Sequence, residues 1–234
     1  MDIKKFKIAS VRNDGKIVKI FTLSSTNGDK INFKPGQFVN LYLLENGDFS
    51  IFRQFSIASS PSSSKLEFCI KILAEGKFTS VLDKLPLGSE IGLAGPFGHF
   101  AYQDQKECAF VAAGTGVAPM LSMLRHINEK KIEGEFTLLY SNKTKDSRLY
   151  YNELKQLQAE NKNIKIVFTL TQETPANWDG ELGRIDQEMV ERHIKRPNEK
   201  MWYFCGPVEF VKTIKEHALG KGAQPDKIKI EGWG

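Results

Sequence analysis

The stretch CAFVAAGTGVAPMLSML, residues 108–124, decides the fold of the second half of the chain. Its apolar run AFVAA leads directly into the glycines of GTGVAPM and then into a helical pattern. Glycines between a strand end and a helix start let backbone N–H groups approach a phosphate, and the helix dipole favours its negative charge. A nucleotide-binding loop is one interpretation. A tight structural turn is an equally good one, because Pro119 stands where the third glycine of GxGxxG belongs.

From residue 106 onward, apolar runs alternate with helical patterns, which predicts a doubly wound parallel α/β domain. The predicted strands cover 108–113, 135–141, 164–170, 201–205 and 227–231, and the predicted helices cover 117–131, 149–161, 186–194 and 207–219. YFCGP, residues 203–207, places a glycine at the edge of this sheet where ligands bind. Cys205 lies at that edge as either a small buried hydrophobe or a neighbour of a cofactor.

The first hundred residues show short alternating segments separated by turn residues, which predicts a small antiparallel β-barrel. The predicted strands cover 3–12, 16–24, 37–44, 52–58, 65–73 and 90–95. TSVLDKL, residues 79–85, predicts a helix opened by a hydroxyl residue suited to capping. EGKFTSVL, residues 75–82, is either an anion site or an ordinary capped helix. The polar segment 102–107 separates the two patterns, so we predict domains at 1–103 and 104–234.

Composition narrows the classes of partner and compartment. The 33 basic and 28 acidic residues give a net charge of +5 without a block of like charge. This favours a face for an acidic protein over a nucleic-acid site, and a merely solvated surface is as good an interpretation. Three separated cysteines without metal-ligand spacing favour a reducing compartment. The amino terminus lacks a continuous apolar segment and residues 108–124 are interrupted by glycine and proline, so we expect a cytoplasmic protein without a membrane segment.

RQFSIASSP, residues 53–61, places a permanent cation, an aromatic ring and several hydroxyls on one predicted strand and the turn after it. It is followed in order by GKFTSVLDKLPLGSEIGLAGPFGHF, GTGVAPM, LLYSNKTKDSRLYYNEL, WDGELGRI and YFCGP. In this order and spacing the chain resembles the ferredoxin:NADP reductase family of flavoproteins. The resemblance covers nearly the whole chain and implies a Greek-key barrel that binds FAD, followed by an α/β domain that binds NAD(P)H.

The resemblance implies an FAD site in the first domain. Arg53 would contact the pyrophosphate, Phe55 would stack on the isoalloxazine, and Ser56 would approach flavin N5. A guanidinium suits phosphate and a flat apolar ring suits a flavin face. The glycine motif that would hold the pyrophosphate from the other side falls on Gly76, Lys77, Phe78, Thr79 and Ser80, and we also place Gln54 and Lys71 at this site.

The resemblance also implies a nucleotide site in the second domain. Its loop would be Gly114, Thr115 and Gly116, and the motif beside the nicotinamide would be Cys205, Gly206 and Pro207. Ser141, Asn142, Lys143, Lys145 and Arg148 occupy the segment that reads the adenosine ribose. The three cations suit a 2′-phosphate, whereas Asp146 suits the free hydroxyl of NADH, so the sequence leans only slightly toward NADPH.

The carboxyl terminus, KIEGWG, departs from the family pattern of a terminal tyrosine over the flavin. Trp233 would take the aromatic role and Glu231 the acidic one, while a disordered tail over 232–234 is the competing interpretation. We therefore name Ser56, Cys205 and Glu231 as candidate catalytic residues.

The expected function is an FAD-dependent reductase that moves hydride between NAD(P)H and FAD. The chain lacks the cysteine cluster of an attached iron-sulfur domain, so its one-electron carrier would be a separate acidic protein, ferredoxin or flavodoxin. Two alternatives stay open. One is a reductase component that serves free flavin, a ferric chelate or a hydroxylase, and the other is a non-catalytic flavin- and nucleotide-binding subunit of a larger complex.

Overall fold

The computed structural model of the chain describes residues 2–45 and 47–233. Its first half forms a six-stranded antiparallel sheet in the order β4-β3-β6-β1-β2-β5. The strands are β1 (Lys4–Asn13), β2 (Val18–Ser25), β3 (Phe38–Glu45), β4 (Asp48–Ser56), β5 (Leu66–Lys71) and β6 (Glu90–Phe97). Because β6 returns between β3 and β1, the chain order is that of a Greek key.

Alternating side chains give this sheet one inner and one outer face. In β1, Phe6 and Ile8 are buried while Lys5 and Lys7 are exposed. The two edges meet just after β4, where the Ala58 N–H donates to the Glu67 carbonyl at 2.8 Å. This contact brings β4 and β5 together as the sides of one barrel.

The predicted hairpin over 13–15 lies between β1 and β2, with Gly15 at φ +95°. The predicted helix over 79–85 is shorter than expected, since α1 covers only Thr79–Leu82. No side chain caps it, because the Thr79 hydroxyl accepts a hydrogen bond from the Leu73 N–H at 3.1 Å instead. The prediction of a hydroxyl cap was therefore wrong, and the Thr79 hydroxyl instead stabilises the turn that precedes the helix.

The second half forms a parallel sheet of six strands in the order β10-β9-β8-β7-β11-β12. Its strands are β7 (Glu107–Ala113), β8 (Glu135–Asn142), β9 (Ile164–Leu170), β10 (Glu181–Leu182), β11 (Met201–Pro207) and β12 (Ile228–Trp233). The helices are α2 (Val117–Lys130), α3 (Tyr151–Glu160), α4 (Gln187–His193) and α5 (Val208–Gly220). Sequence patterning missed β10, which is only two residues long.

Helices cover both faces of the parallel sheet. The buried side chains of α2 and α3 pack with one face, and those of α4 and α5 pack with the other. The cluster under α2 also contains Val18, Ala58 and Cys69 of the first sheet. The two halves therefore share a continuous apolar contact.

Among the described residues, no helix has both the length and the apolar content to cross a membrane.

Candidate active site

A cleft of about 490 Å³ opens between the first sheet and the carboxyl-terminal edge of the second. It collects most of the residues predicted for the FAD site together with parts of β12 and the glycine loop. The predicted residues that line it are Arg53, Gln54, Phe55, Ser56, Lys71, Gly76, Lys77, Phe78, Thr79, Thr115, Glu231 and Trp233. Sequence reasoning missed Phe38, Cys69, Leu73, Ala118 and Gly232, which complete the lining.

Strand β4 presents a cation and a ring to this cleft. Arg53 is exposed, and its Nη1 donates to the Phe52 carbonyl at 2.8 Å. Phe55 lies against the buried ring of Phe78, with centroids 5.7 Å apart. The aromatic pair fixes the Phe55 ring plane, while the guanidinium keeps donors for an anion.

The glycine motif forms a tight turn beside α1. The Gly76 N–H donates to the Leu73 carbonyl at 3.0 Å, and a Cβ on Gly76 would meet Thr79 Oγ1 at 2.8 Å. The turn therefore excludes a larger residue and leaves its backbone open to the cleft. Ser80 does not line the cleft, and its N–H donates to the Gly76 carbonyl at 3.1 Å.

Two of the three candidate catalytic residues, Ser56 and Glu231, line the cleft floor, and Cys205 lies beside Glu231 on the neighbouring strand. Ser56 Oγ donates to Glu231 Oε1 at 2.9 Å, and Glu231 pairs with Cys205 across β11 and β12. Burial raises the pKa of Glu231, and the Ser56 hydrogen bond only partly opposes it. Burial and the nearby Glu231 raise the pKa of Cys205, whose side chain is fully enclosed. Cys205 is thus a buried neutral thiol beside the cleft, which agrees with both interpretations made for it.

The glycine loop is in close contact with these residues. A Cβ on Gly116 would lie 2.3 Å from the Cys205 carbonyl oxygen and 3.0 Å from the Trp233 ring. Only glycine fits between them. Gly206 and Pro207 pair with Gly232 and Trp233 in the sheet, so β12 is ordered through Trp233 and the expectation of a loose tail fails there. Gly234 lies outside the described residues.

Gly114 is held by a tyrosine that the sequence did not single out. Tyr140 Oη donates to the Gly114 carbonyl at 3.0 Å and accepts from the Leu149 N–H at 3.3 Å. Gly114 adopts φ +54° with open space around its Cα. The buried Tyr140 hydroxyl thereby joins the loop to the segment that follows β8.

The predicted ribose segment lies outside the cleft, at the end of β8 and in the turn after it. Ser141 is partly buried, Asn142 is buried and Lys143 is exposed. The Arg148 guanidinium stacks over the Tyr151 ring at 3.7 Å and donates from Nε to the Lys145 carbonyl at 2.7 Å. The same guanidinium lies 5.3 Å from the centroid of the Trp178 ring. Sequence reasoning assigned no role to Tyr151 or Trp178, although both stand in motifs that carry the resemblance.

Comparison with known proteins identifies this architecture. The profile of the oxidoreductase FAD-binding domain matches residues 5–102, and that of the oxidoreductase NAD-binding domain matches residues 110–216. The sulfhydrogenase 1 gamma subunit of Pyrococcus furiosus is 30% identical over 92% of this chain and 77% of its own. The chain belongs to the ferredoxin-NADP reductase family of FAD- and NAD-binding oxidoreductases.

The relatives differ in length and in the activity for which they are named. The NADPH nitrate reductase of Emericella nidulans is 31% identical over 95% of this chain, which spans only 28% of that enzyme. The propane 2-monooxygenase reductase component of Mycolicibacterium smegmatis is 33% identical, over 78% of this chain and 53% of its own. A solved ferredoxin-NADP+ reductase of Neisseria gonorrhoeae, with FAD and NADP bound, superposes with a TM-score of 0.84 at 22% identity, covering 99% of each chain. That structure shares the fold.

The residues of the cleft fit the FAD that the family binds. Among residues 2–45 and 47–233, Arg53, Lys71 and Lys77 form no ion pair, so their charges are available to a diphosphate. Phe55 of β4 and Trp233 of β12 add apolar side chains to the lining of the same cleft. Cations and rings in one cleft match the two chemical halves of a flavin dinucleotide.

Proposed function

We propose that this protein moves hydride between NAD(P)H and FAD and exchanges single electrons with a separate acidic carrier protein of the ferredoxin or flavodoxin type. The observation that supports the proposal best is the meeting of both halves of the chain at one cleft. Ser56 and Phe55 of the first sheet line it with Thr115 and Glu231 of the second. Two cofactors held by these two walls would face one another.

Bound FAD supplies chemistry that takes two electrons as hydride and releases them one at a time. In our proposal, Arg53 and Lys77 bind its diphosphate with charge-assisted hydrogen bonds, and Phe55 holds the ring plane. The Ser56 hydroxyl donates to Glu231, and the raised pKa keeps that carboxyl neutral to higher pH than an ordinary glutamate. Below that raised pKa the carboxyl adds no negative charge where hydride arrives.

The nucleotide is assigned to the loop 114–116 and the edge of β11. Hydride transfer requires the reacting atoms roughly 3 to 3.5 Å apart, so positioning is the main task of the protein. The contact between Gly116 and the Cys205 carbonyl sets how deep the loop lies against this edge. We assign Cys205 to shape and electrostatics because burial raises its pKa and removes the thiolate needed by a nucleophile.

The preference for NADPH is proposed from charge. Arg148 and Lys145 lie at the turn after β8 with the rings of Tyr151 and Trp178. A guanidinium stacked on a ring is pre-oriented for a phosphate, and the ring itself suits an adenine. Asp146 is exposed beside them and is the residue that argues for NADH.

The acidic character of the carrier is proposed from the rim of the cleft. Arg53, Lys71 and Lys77 are exposed there, and the side chains of Leu73 and Trp233 are 51% and 41% exposed. A cationic rim steers an acidic partner, while apolar side chains give close contact at the point of electron transfer. The net charge of +5 has the same sign.

Anaerobic stopped-flow reduction with NADPH and then NADH tests the first step, and subsequent mixing with ferredoxin or flavodoxin tests the second. We expect a yellow protein bleached by at least one nucleotide and reoxidised by a carrier. A protein that binds no FAD would contradict the proposal.

Charge reversal tests the docking rim. The variant Lys71→Glu is expected to slow carrier reduction and to weaken its salt dependence. The matched control, Lys165→Glu, changes an exposed lysine near the amino-terminal end of β9 and should leave carrier reduction unchanged. Equal slowing in both variants would show that only net charge matters.

A reductase component of an oxygenase is a second candidate. The observation that favours it is the 33% identity to the propane 2-monooxygenase reductase component. If a terminal oxygenase component were the only efficient electron acceptor in the same stopped-flow experiment, the result would favour the reductase component over a ferredoxin reductase.

A further inference from the structure

Helix α2 holds the segment that continues from β4. Ser122, Arg125 and Glu129 follow one another at spacings of three and four residues, so they share one face of the helix. Each of them contacts the stretch ASSPS, residues 58–62, directly after the flavin-site strand. The hydroxyl-rich turn is therefore bound to the second domain.

Arg125 makes the largest set of contacts. Its Nη1 donates to the Ala58 carbonyl at 2.8 Å and lies 2.9 Å from Glu67 Oε1, both in the first domain. Its Nε and Nη2 donate to the two carboxylate oxygens of Glu153 on α3, at 2.6 and 2.8 Å. The side chain is only 17% exposed. A planar guanidinium with this many fixed partners allows little relative displacement.

Ser122 and Glu129 extend the contact along the same face. The fully buried Ser122 Oγ donates to the Ser59 carbonyl at 2.7 Å, and Glu129 accepts hydrogen bonds from the hydroxyls of Ser60 and Ser62. Ser59 in turn accepts from the Glu67 N–H at 3.1 Å. Both ends of the turn are thus tied to α2.

A second contact between the domains lies beside this face of α2. Asp14, in the turn between β1 and β2, accepts a hydrogen bond from the Tyr150 N–H at 2.8 Å. Tyr150 is buried and adopts φ +55°, a conformation that is strained for a residue with a side chain. The guanidinium of Arg125 lies 5.7 Å from its ring. The strained residue is held from both domains.

Sequence distance links these contacts to both cofactor walls. Ser56, at the cleft floor, stands only two residues before Ala58. Helix α2 begins at Val117, directly after the glycine loop that contacts Cys205. The bonds of Arg125 therefore connect the strand that presents the flavin side to the helix that follows the nucleotide loop.

We propose that Arg125, supported by Ser122 and Glu129, is a positioning residue for hydride transfer: it sets the separation between the β4 wall and the glycine loop. This inference rests on the proposed function. Arg125 does not line the cleft, and lies in the neighbouring pocket that also contains Arg148 and Tyr151. Its effect would be exerted through the relative position of the two walls.

The competing explanation is that the Arg125 contacts only stabilise the protein. The two explanations predict different effects on the melting temperature and on the limiting rate of flavin reduction. Loss of stability lowers the melting temperature and leaves the limiting rate of flavin reduction unchanged well below that temperature. Loss of positioning lowers the limiting rate at saturating nucleotide, because a misplacement of roughly 1 Å costs on the order of a hundredfold in rate.

The test compares Arg125→Met and Arg125→Lys with the wild type in the full chain loaded with FAD. Anaerobic stopped-flow at saturating NAD(P)H, with protiated and 4-deuterated nucleotide, gives the limiting rate and its isotope effect. We expect a decrease of at least roughly tenfold for Arg125→Met, an intermediate rate for Arg125→Lys, and a changed charge-transfer absorbance between flavin and nicotinamide. The nucleotide dissociation constant is expected to change much less.

Arg196→Met is the matched control. Arg196 pairs with Glu135 at 3.1 Å and Glu199 at 3.0 Å within the second domain alone, so its loss should not alter the limiting rate. An Arg125→Met protein that binds FAD and is reduced at the wild-type rate would overturn the inference.

Two milder variants keep the test decisive if Arg125→Met does not fold. Ser122→Ala and Glu129→Gln each weaken one contact on the same face, and both are expected to lower the limiting rate. Unchanged rates in both would overturn the inference. A wild-type protein that no nucleotide reduces would instead overturn the proposed function, and this inference with it.

Discussion

The two walls of the cleft hold their predicted residues in different ways. In the first sheet, Arg53, Lys71 and Lys77 are exposed and lie in one cleft. In the second, the loop 114–116 is bound by the protein itself, through Tyr140 on one side and the Cys205 strand on the other. One wall offers charged side chains to a ligand, and the other offers a backbone shape.

This difference indicates how each wall would fail. A wall of exposed side chains loses binding energy one contact at a time when residues are replaced. A wall of closely packed backbone fails as a unit, because one added atom displaces the whole loop. We therefore expect the largest effect from a substitution in the packed backbone wall and smaller effects from substitutions of single side chains.

Gly116→Ala should have the largest effect. The new Cβ would lie 2.3 Å from the Cys205 carbonyl oxygen, so the loop must move away from the edge of β11. We expect flavin reduction by NAD(P)H to slow by about a hundredfold while FAD remains bound, at a stability cost of roughly 1 to 3 kcal/mol. Stopped-flow reduction and urea unfolding measure the two quantities.

Gly28→Ala is its control. Gly28 has φ +78° and open space for a Cβ, so alanine strains the backbone without displacing a neighbour. We expect a loss of about 1 kcal/mol in stability and no change in the reduction rate. If Gly116→Ala behaved like Gly28→Ala, the tight packing of the second wall would have no functional role.

Arg53→Ala tests the side-chain wall. Loss of a charge-assisted contact to phosphate should weaken FAD binding by roughly 1.5 to 3 kcal/mol, about 10- to 100-fold in dissociation constant. Titration of the apoprotein with FAD measures it, with Arg196→Ala as the matched arginine outside the cleft. Unchanged FAD affinity would remove Arg53 from the site.

Much of the fold followed from periodicity in the sequence. The strand over 164–170 has the predicted ends, because a mostly apolar run marks a largely buried parallel strand. β4 begins at Asp48 rather than at 52, since the polar residues of a tight hairpin conceal its start. The helix at Thr79 stops after one turn, and bonds of three-residue spacing follow it, from the Lys84 N–H to the Val81 carbonyl and from the Leu85 N–H to the Leu82 carbonyl.

The motif residues Arg53, Phe55 and Ser56 line one cleft, and the FAD contacts assigned to them stay predictions. Residues that act through contacts with distant parts of the chain were not visible in the sequence. Arg125 reads as one cation on an amphipathic helix, and Tyr140 as an apolar residue of a buried strand. Their partners lie 67 and 26 residues away, and only the fold brings them together.

Arg148→Ala tests the choice between NADPH and NADH at the turn after β8, outside the cleft. Its guanidinium is pre-oriented on the Tyr151 ring, so its loss should cost NADPH about 1.4 kcal/mol more than NADH, a tenfold change in their ratio. The ratio of kcat/KM for the two nucleotides measures it. Asp146→Ala should shift the ratio in the opposite direction, and equal losses for both nucleotides would contradict the assignment to a 2′-phosphate.

Glu231→Gln gives the smallest effect and joins the two walls, because Glu231 of the second accepts from Ser56 of the first. Burial raises the pKa of Glu231, so the folded protein binds its proton more tightly than the unfolded chain. Stability should therefore fall as the pH rises from the ordinary glutamate value of 4.5 through the raised pKa. The amide cannot ionise, so the variant should gain stability relative to the wild type across that interval.

Glu191→Gln supplies a control of opposite sign. The hydrogen bond from Lys221 lowers the pKa of Glu191, so the wild type gains stability as the pH rises toward 4.5 and the variant lacks that gain. Urea unfolding of all three proteins between acidic and neutral pH measures both differences. If the difference between Glu231→Gln and the wild type stayed constant above 4.5, Glu231 would ionise as an ordinary carboxyl.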